Sequence, residues 1–338
     1  MKKRLCLLLA LLVLLLSTAA CSSGDAGTTP PANDGVANAS ANGAEQTYIL
    51  CTYNSTEYYQ RVIWSGFQAA GEMLGVKTEL YGDTGEDIIK YLTLLDNAAA
   101  ANPQGIAVMC LDADAYVDGI NSAVDKGIPV FTVAPDSPHS DRTCFLGLEN
   151  ISVGRFAGEV LGEKIGGEGE ILVLIRAGMQ TCQDRLSGFE SYLAENYPNV
   201  TTKVIQVSLD LADQTSKTSA ALAANPNIAA VYCPLGWQAV AVSQACDELN
   251  YKDIPILGMD VELAQLELVK EGKIMGTLRQ GNYDQGFWAC LGMYLINNDY
   301  ISEDTFPSSI NPGYYVVDQS NVDAEIEFYY EYNPEARK

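Results

Sequence analysis

The chain has 338 residues, a formal net charge of −23 and apolar residues enough for large cores. That length accommodates two domains. The excess of acid excludes a nucleic-acid binder, which needs a basic footprint, and is accounted for by solubility.

Met1 to Ala20 stands apart from any fold. Lys2, Lys3 and Arg4 precede an apolar run, Leu5 to Leu16, too short to span a bilayer, as in a secretory signal peptide. Ser17-Thr18-Ala19-Ala20-Cys21 is similar to a bacterial lipobox, with Thr18 where Leu is commoner. That likeness implies a diacylated Cys21, and two acyl chains suffice for a stable membrane anchor. Residues 21–46 are mostly Gly, Ala, Ser, Thr, Pro and Asn, a composition that buries no core and reads as a tether.

From Thr47 strands and helices alternate. Tyr48 to Cys51 is a strand, and Ser55 or Thr56 caps a helix that Gly75 ends. Val76 to Tyr81, Gly105 to Leu111, Pro129 to Val133 and Cys144 to Leu148 are further strands, with helices over Asp87 to Ala101 and Ala113 to Lys126. Val130 to Val133 is the short apolar run of a buried parallel strand, and Asp136 stands just past its end. A second series follows. Its helices are Val153 to Lys164, Cys182 to Glu195, Leu211 to Ala224, Gln238 to Leu249, Leu263 to Glu271 and Tyr283 to Ile296. Its strands are Glu170 to Leu174, Thr202 to Val207, Ile228 to Tyr232, Ile254 to Leu257, Lys273 to Leu278 and, in the tail, Tyr314 to Val317. Two βα series predict an α/β protein of two doubly wound parallel-sheet lobes, with a crevice between them at the strand ends.

Cys51, Cys110, Cys144, Cys182, Cys233, Cys246 and Cys290 fall mostly inside apolar runs and read as buried small hydrophobes, a disulfide pair remaining open. Neither their spacing nor the single His139 suggests a metal, and no phosphate-cradling glycine loop or Ser/His/Asp order suggests an enzyme. No cofactor is expected.

Several segments together carry a resemblance: Gln104-Gly105-Ile106 through Gly127-Ile128-Pro129-Val130, Gly147-Leu148-Glu149-Asn150, Gly154-Arg155-Phe156-Ala157-Gly158, Arg185-Leu186-Ser187-Gly188-Phe189, Gly258-Met259-Asp260, and Gln280-Gly281-Asn282-Tyr283-Asp284-Gln285-Gly286. From about Thr47 to Asp318 the chain resembles the periplasmic sugar-binding proteins of the ribose-binding type. The lactose-repressor family shares that fold but begins with a helix-turn-helix, where this chain has the leader and tether. The resemblance implies two lobes, 47–150 with 281–310 and 151–280 with 311–338, joined by three crossovers near Asn150, Gln280 and Asn311 and closing on a small ligand by a hinge. It implies a monomeric binding protein outside the cytoplasmic membrane that hands its ligand to the permease of an ABC importer.

A sugar site needs bidentate acceptors, multi-proton donors and an aromatic or aliphatic plate. By resemblance Asp260 accepts from hydroxyls, Arg185 forks onto ring and hydroxyl oxygens, and Gln280 bonds ligand and hinge together. Asp260 also fits a helix N-cap, and Arg185 a surface ion pair. In the first lobe Asn54, Glu57, Tyr59 and Gln60 lie at the end of the first strand. Tyr59 takes the family's first aromatic position, although it also lies on its helix's apolar stripe. Gln60 replaces the second aromatic, and Glu57 stands where Asn or His is usual. Tyr53 closes over the ligand from the strand end. Leu209 occupies an often aromatic position. Leu235 stands where a ribose binder has Asn, with Trp237 two residues on. Ala134 stands where the first-lobe Asp is usual, which leaves Asp136 as the substitute or as an Asx-turn residue before Pro138. Fewer matched hydroxyls imply a ligand other than ribose: deoxygenated, furanose-like or not a simple sugar. Two alternatives stay open, a sensing module for a membrane receptor kinase and a binder of nucleosides or furanosyl signals.

Overall fold

The computed structural model describes residues 46–83, 87–251 and 253–333. The leader, Cys21 and the tether up to Glu45 lie outside them.

The first half runs β1 (Thr47–Thr52), α1 (Tyr58–Leu74), β2 (Lys77–Gly82), α2 (Ile88–Ala100), β3 (Gly105–Val108), α3 (Val117–Val124), β4 (Val130–Val133) and β5 (Cys144–Leu146). The second runs α4 (Asn150–Lys164), β6 (Glu168–Ile175), α5 (Gln180–Asn196), β7 (Asn199–Gln206), α6 (Leu211–Ala224), β8 (Ile228–Tyr232), α7 (Gln238–Leu249), β9 (Ile256–Met259), α8 (Leu263–Lys270) and β10 (Gly276–Gln280). Helix α9 (Asn282–Asn297), β11 (Ser309–Ile310), β12 (Tyr314–Val317) and α10 (Val322–Tyr332) complete the chain. β3, β4 and β9 are buried along their whole length, as strands covered by helices on both faces must be.

The strands form two sheets, ordered β11-β5-β4-β3-β1-β2 and β12-β10-β9-β8-β6-β7. Every pairing is parallel except β10 with β12. Read from β2 and from β7, the two orders are the same 2-1-3-4-5 winding, whose switch points lie between β1 and β3 and between β6 and β8. The molecule therefore has two α/β lobes of one topology. The chain passes between them three times: from β5 to α4, from β10 to α9, and from β11 to β12.

Each lobe packs its first helix against a helix delivered by a strand of the other lobe. These crossings are as tight as backbone contact permits. A Cβ at Gly286 of α9 would stand 1.8 Å from the Ile63 carbonyl oxygen of α1, and one at Gly188 of α5 would stand 2.0 Å from that of Ile151 in α4. Only glycine fits either place.

Several boundaries differ from the sequence reading, most by one to three residues. Helix α3 starts at Val117, not Ala113, because the Asp112 carboxylate accepts from the N–H groups of Asp114 (3.1 Å) and Ala115 (3.0 Å) and holds a turn there. Glu57, not Ser55 or Thr56, stands at the N-cap of α1, and the Thr56 hydroxyl donates to Asn54 Oδ1 instead. Helix α4 begins at Asn150, three residues before Val153. The tail adds β11 and all of α10, neither of which the sequence reading contained. The seven cysteines among the described residues are buried and free.

Candidate functional site

Parallel strands direct their carboxyl ends to one edge of each sheet, so the exits of β1, β8, β9 and β10 present their loops together. In the second lobe the site is built around Asp260, the residue after β9. Its backbone is left-handed, with φ 69°. That conformation is costly for a residue with a Cβ and concentrates at functional positions. It is held by three hydrogen bonds. The Asp260 N–H donates to the Leu278 carbonyl (2.9 Å), and its own carbonyl accepts from Thr277 Oγ1 (2.6 Å) and Gln265 Nε2 (3.2 Å). The carboxylate accepts from Gln280 Nε2 at 2.5 Å and from the Gly236 N–H. Burial raises its pKa, and Arg185, Gln280 and Gly236 draw it back only in part.

Arg185, on the second turn of α5, is buried. Its Nε donates to Asn150 Oδ1 (3.0 Å) and its Nη1 to the Pro234 carbonyl (2.5 Å). One guanidinium thus ties the first passage between lobes to the β8 exit loop, with its charge beside Asp260. That loop is pinned again by Gln238, whose Oε1 accepts from the Leu235 N–H at 3.0 Å. Leu235 is half-buried in the lobe's core. Trp237 is left standing out, 50% exposed and also left-handed at φ 68°. The structure brings Asp260, Arg185 and Gln280 together, with Leu235 and Trp237 on the loop that Arg185 and Gln238 hold. Leu209 is not among them. It is exposed at the exit of β7, the edge strand, three strands from β9.

In the first lobe the hydroxyls of Tyr53 and Tyr59 bond to each other. Gln60 is buried and organises the β1 exit: its Oε1 accepts from the Thr52 hydroxyl and the Asn54 N–H (3.0 Å), and its Nε2 donates to the Tyr59 hydroxyl (3.2 Å). Asn54 Nδ2 donates to the exposed Glu57 at 3.2 Å. Burial, then the neighbouring Tyr53, push the Tyr59 phenol well above its ordinary range, with a smaller push from the charge of Asp260 in the other lobe.

Asp136 requires a correction. Both its oxygens are spent within the first lobe. Arg142 forks onto them, Nε to Oδ1 at 2.6 Å and Nη2 to Oδ2 at 2.8 Å. Thr132 Oγ1 (2.5 Å) and the Ser137 N–H (2.7 Å) add to Oδ1. A carboxylate so saturated closes a turn and is not an open acceptor.

Glu262 was not foreseen. It stands at the N-cap of α8, two residues past Asp260. Burial, then the charges of Asp260 and Glu57, raise it to about 7 against the pull of Arg61. A carboxylate at a helix start is commonplace, and only the tertiary fold brings Glu57 and Asp260 to it. A raised acid holds its proton in the folded chain to higher pH than in the unfolded one. Stability is therefore fully present below about 4.5 and is lost as the pH rises through about 7. Glu262→Gln is expected to leave the melting temperature unchanged at pH 4 and to raise it at pH 8 by the equivalent of about 2 kcal/mol, after discounting for partial exposure. Scanning calorimetry at both values checks this; an equal shift at both contradicts it.

Two surface grooves, of about 700 and 640 Å³, lie elsewhere on the second lobe. The first is lined by Ile254, Ile256, Lys273 and Ile274 at the amino ends of β9 and β10, the end of the sheet away from Asp260.

Two lobes of one winding, joined by three passages, with polar side chains converging at facing strand exits, define a two-lobed ligand-binding protein. Residues 48–296 match the family model described as Periplasmic binding protein domain. The chain belongs to the periplasmic binding protein family, within which it resembles the ribose-binding type. It is similar to the ribose import binding protein RbsB of Bacillus subtilis, 23% identical over 83% of this chain and 88% of that protein. Among solved structures it is similar to AraP, an arabinose binding protein from Geobacillus stearothermophilus, with TM-score 0.78 and 27% identity over 83% of this chain and 99% of that one. It is also similar to a chain of the XylFII–LytSN complex, with TM-score 0.67 and 26% identity over 82% of this chain and 99% of that one.

Proposed function

We propose that this chain is an extracytoplasmic solute-binding lipoprotein that captures a small sugar or sugar-like ligand between its lobes and delivers it to an ABC importer. The observation that carries this reading is the convergence of Arg185, Asp260 and Gln280 opposite the Tyr53–Tyr59 hydroxyl pair. Asp260 accepts from ligand hydroxyls, Arg185 and Gln280 donate, and Trp237 with the two tyrosines supplies plates for an apolar sugar face. Asn54 and Glu57 complete the first-lobe wall, while Gln60 positions it. The lobes, 47–150 with 281–310 and 151–280 with 311–338, close about the three passages. Cys21 carries the lipid, by its likeness to a lipobox, and holds the module at the membrane. The protein binds and does no chemistry.

With Asp136 committed to Arg142, the first lobe offers fewer hydroxyl acceptors than a ribose site. This supports a ligand other than ribose. Calorimetry and thermal shift against L-arabinose, D-xylose, D-ribose, hexoses, polyols, nucleosides and furanosyl signals test the reading. One sugar at a hundredfold excess over its Kd is expected to stabilise the protein by about 2.7 kcal/mol. No response to any sugar overturns it, and a response to nucleosides alone moves the ligand to that class. A second reading, in which the loaded protein docks on a partner such as a membrane receptor kinase, draws on the likeness to a chain solved in complex with LytSN.

A further inference from the structure

The C-terminal helix touches both lobes. α10 follows β12 of the second sheet and packs on α8, with Lys270 paired to Asp323 at 2.7 Å. Its main attachment to that lobe is buried. Glu325 Oε1 accepts from Arg279 Nε at 2.6 Å, and Glu325 Oε2 accepts from the Tyr315 hydroxyl at 2.9 Å. The Arg279 guanidinium lies over the ring of Phe328, 4.7 Å from its centroid, and 5.6 Å from that of Tyr315. Such a pair, desolvated and flanked by aromatic faces, fixes the helix rigidly to the end of β10.

The same face of α10 also lies on the first lobe. The rings of Tyr329 and Tyr58, the first residue of α1, are 4.2 Å apart, and those of Tyr332 and Tyr283 of α9 are 6.0 Å apart. Tyr58 and Val62 are buried in one apolar cluster with Val317, Val322 and Tyr329. Just past the helix, Asn333 accepts from Arg61 Nη2 and donates to the Tyr329 hydroxyl at 2.9 Å.

We propose that α10 is a strap that holds the two lobes together in the ligand-free protein, with Tyr329 and Glu325 as positioning residues for the two walls of the cleft. Both attachments sit one residue from the proposed ligand contacts. Tyr58 lies between Glu57 and Tyr59, and Arg279 precedes Gln280. Opening the cleft at these points strips the apolar cluster between α1 and α10. The strap therefore biases the ligand-free protein toward approximated lobes and lowers the reorganisation that binding demands. The inference concerns the empty protein and holds whatever the ligand proves to be.

The test reads the distance between lobes without any sugar. Spin labels are placed on p-acetylphenylalanine at Lys126 of the first lobe and Ser216 of the second, both exposed, in the full chain, and pulsed dipolar spectroscopy reports the distance distribution. Tyr329→Ala is expected to raise the population of long distances about fivefold. Tyr329→Phe, which keeps the ring, is expected to match the wild type. A Tyr329→Ala distribution that superimposes on the wild type overturns the proposal. If that variant does not fold, Tyr58→Leu, which removes the ring on the first-lobe side, is read by the same two outcomes. Because no sugar is present, failure here is distinct from failure of the sugar reading.

Discussion

Asp260→Asn is expected to abolish sugar binding while raising the melting temperature of the empty protein at neutral pH. The two effects have one cause. The carboxylate is half-buried at the exit of β9, and what Arg185, Gln280 and Gly236 return does not offset the loss of water, so its pKa is raised. A raised acid makes the folded chain less stable as the pH climbs from its ordinary carboxylate range through the shifted value. At pH 7 the charge is at its most costly, and asparagine removes it at nearly constant volume. Below pH 4 both chains hold a neutral group and the gain disappears. Binding moves the other way. A carboxylate accepting from two ligand hydroxyls contributes about 1.5–3 kcal/mol for each bond to a charged group, so its loss weakens affinity by a hundredfold or more. Calorimetric titration with the sugar identified in the panel, beside melting curves at pH 4 and 7, measures both halves. Retained affinity would remove Asp260 from the site; a lower melting temperature at pH 7 would show that its carboxylate is a net stabiliser.

The winding of both lobes was readable because short apolar runs such as Val130 to Val133 and Ile228 to Tyr232 become buried parallel strands with little freedom to be anything else. What escaped lay where a distant partner breaks the pattern or the element is too short for one. Helix α10 sets Val322, Ile326, Tyr329 and Tyr332 on one face but interrupts it with Glu325, a carboxylate whose partner Arg279 lies in a distant strand, so its apolar stripe is broken in the sequence. Strand β11 has two residues. In the candidate site, a resemblance carried by their local motifs singled out Asp260, Arg185 and Gln280, and the structure sets the three together. Asp136 was misread because its fate depends on Arg142, six residues on, folding back over the turn. Nothing in Ala134-Pro135-Asp136-Ser137-Pro138 distinguishes an open carboxylate from one already forked by a guanidinium. Glu262 was missed for the same reason, since its neighbours Glu57 and Arg61 are some two hundred residues away in the chain.

Arg185→Ala is expected to abolish binding as well, but to lower the melting temperature where Asp260→Asn raises it. The guanidinium does three things at once. It holds Asn150 at the first passage between lobes, it holds the Pro234 carbonyl in the loop that carries Trp237, and its positive charge lowers the pKa of Asp260. Its removal leaves the Pro234 carbonyl without that donor and the half-buried Asp260 with less counter-charge, a loss of about 2 kcal/mol at pH 7. The Asp260 contribution to that loss depends on ionisation, so it shrinks as the pH falls and the carboxyl takes up its proton. The hydrogen-bond contribution does not. In the double variant the charge contribution is absent at every pH. Adding Asp260→Asn to Arg185→Ala is therefore expected to recover part of the stability at pH 7 and little at pH 4. A double-mutant cycle run at both values isolates the coupling, which is expected to be large at pH 7 and to approach zero in acid. A coupling that does not change with pH would mean that Arg185 supports the site through its hydrogen bonds alone, with its charge playing no part.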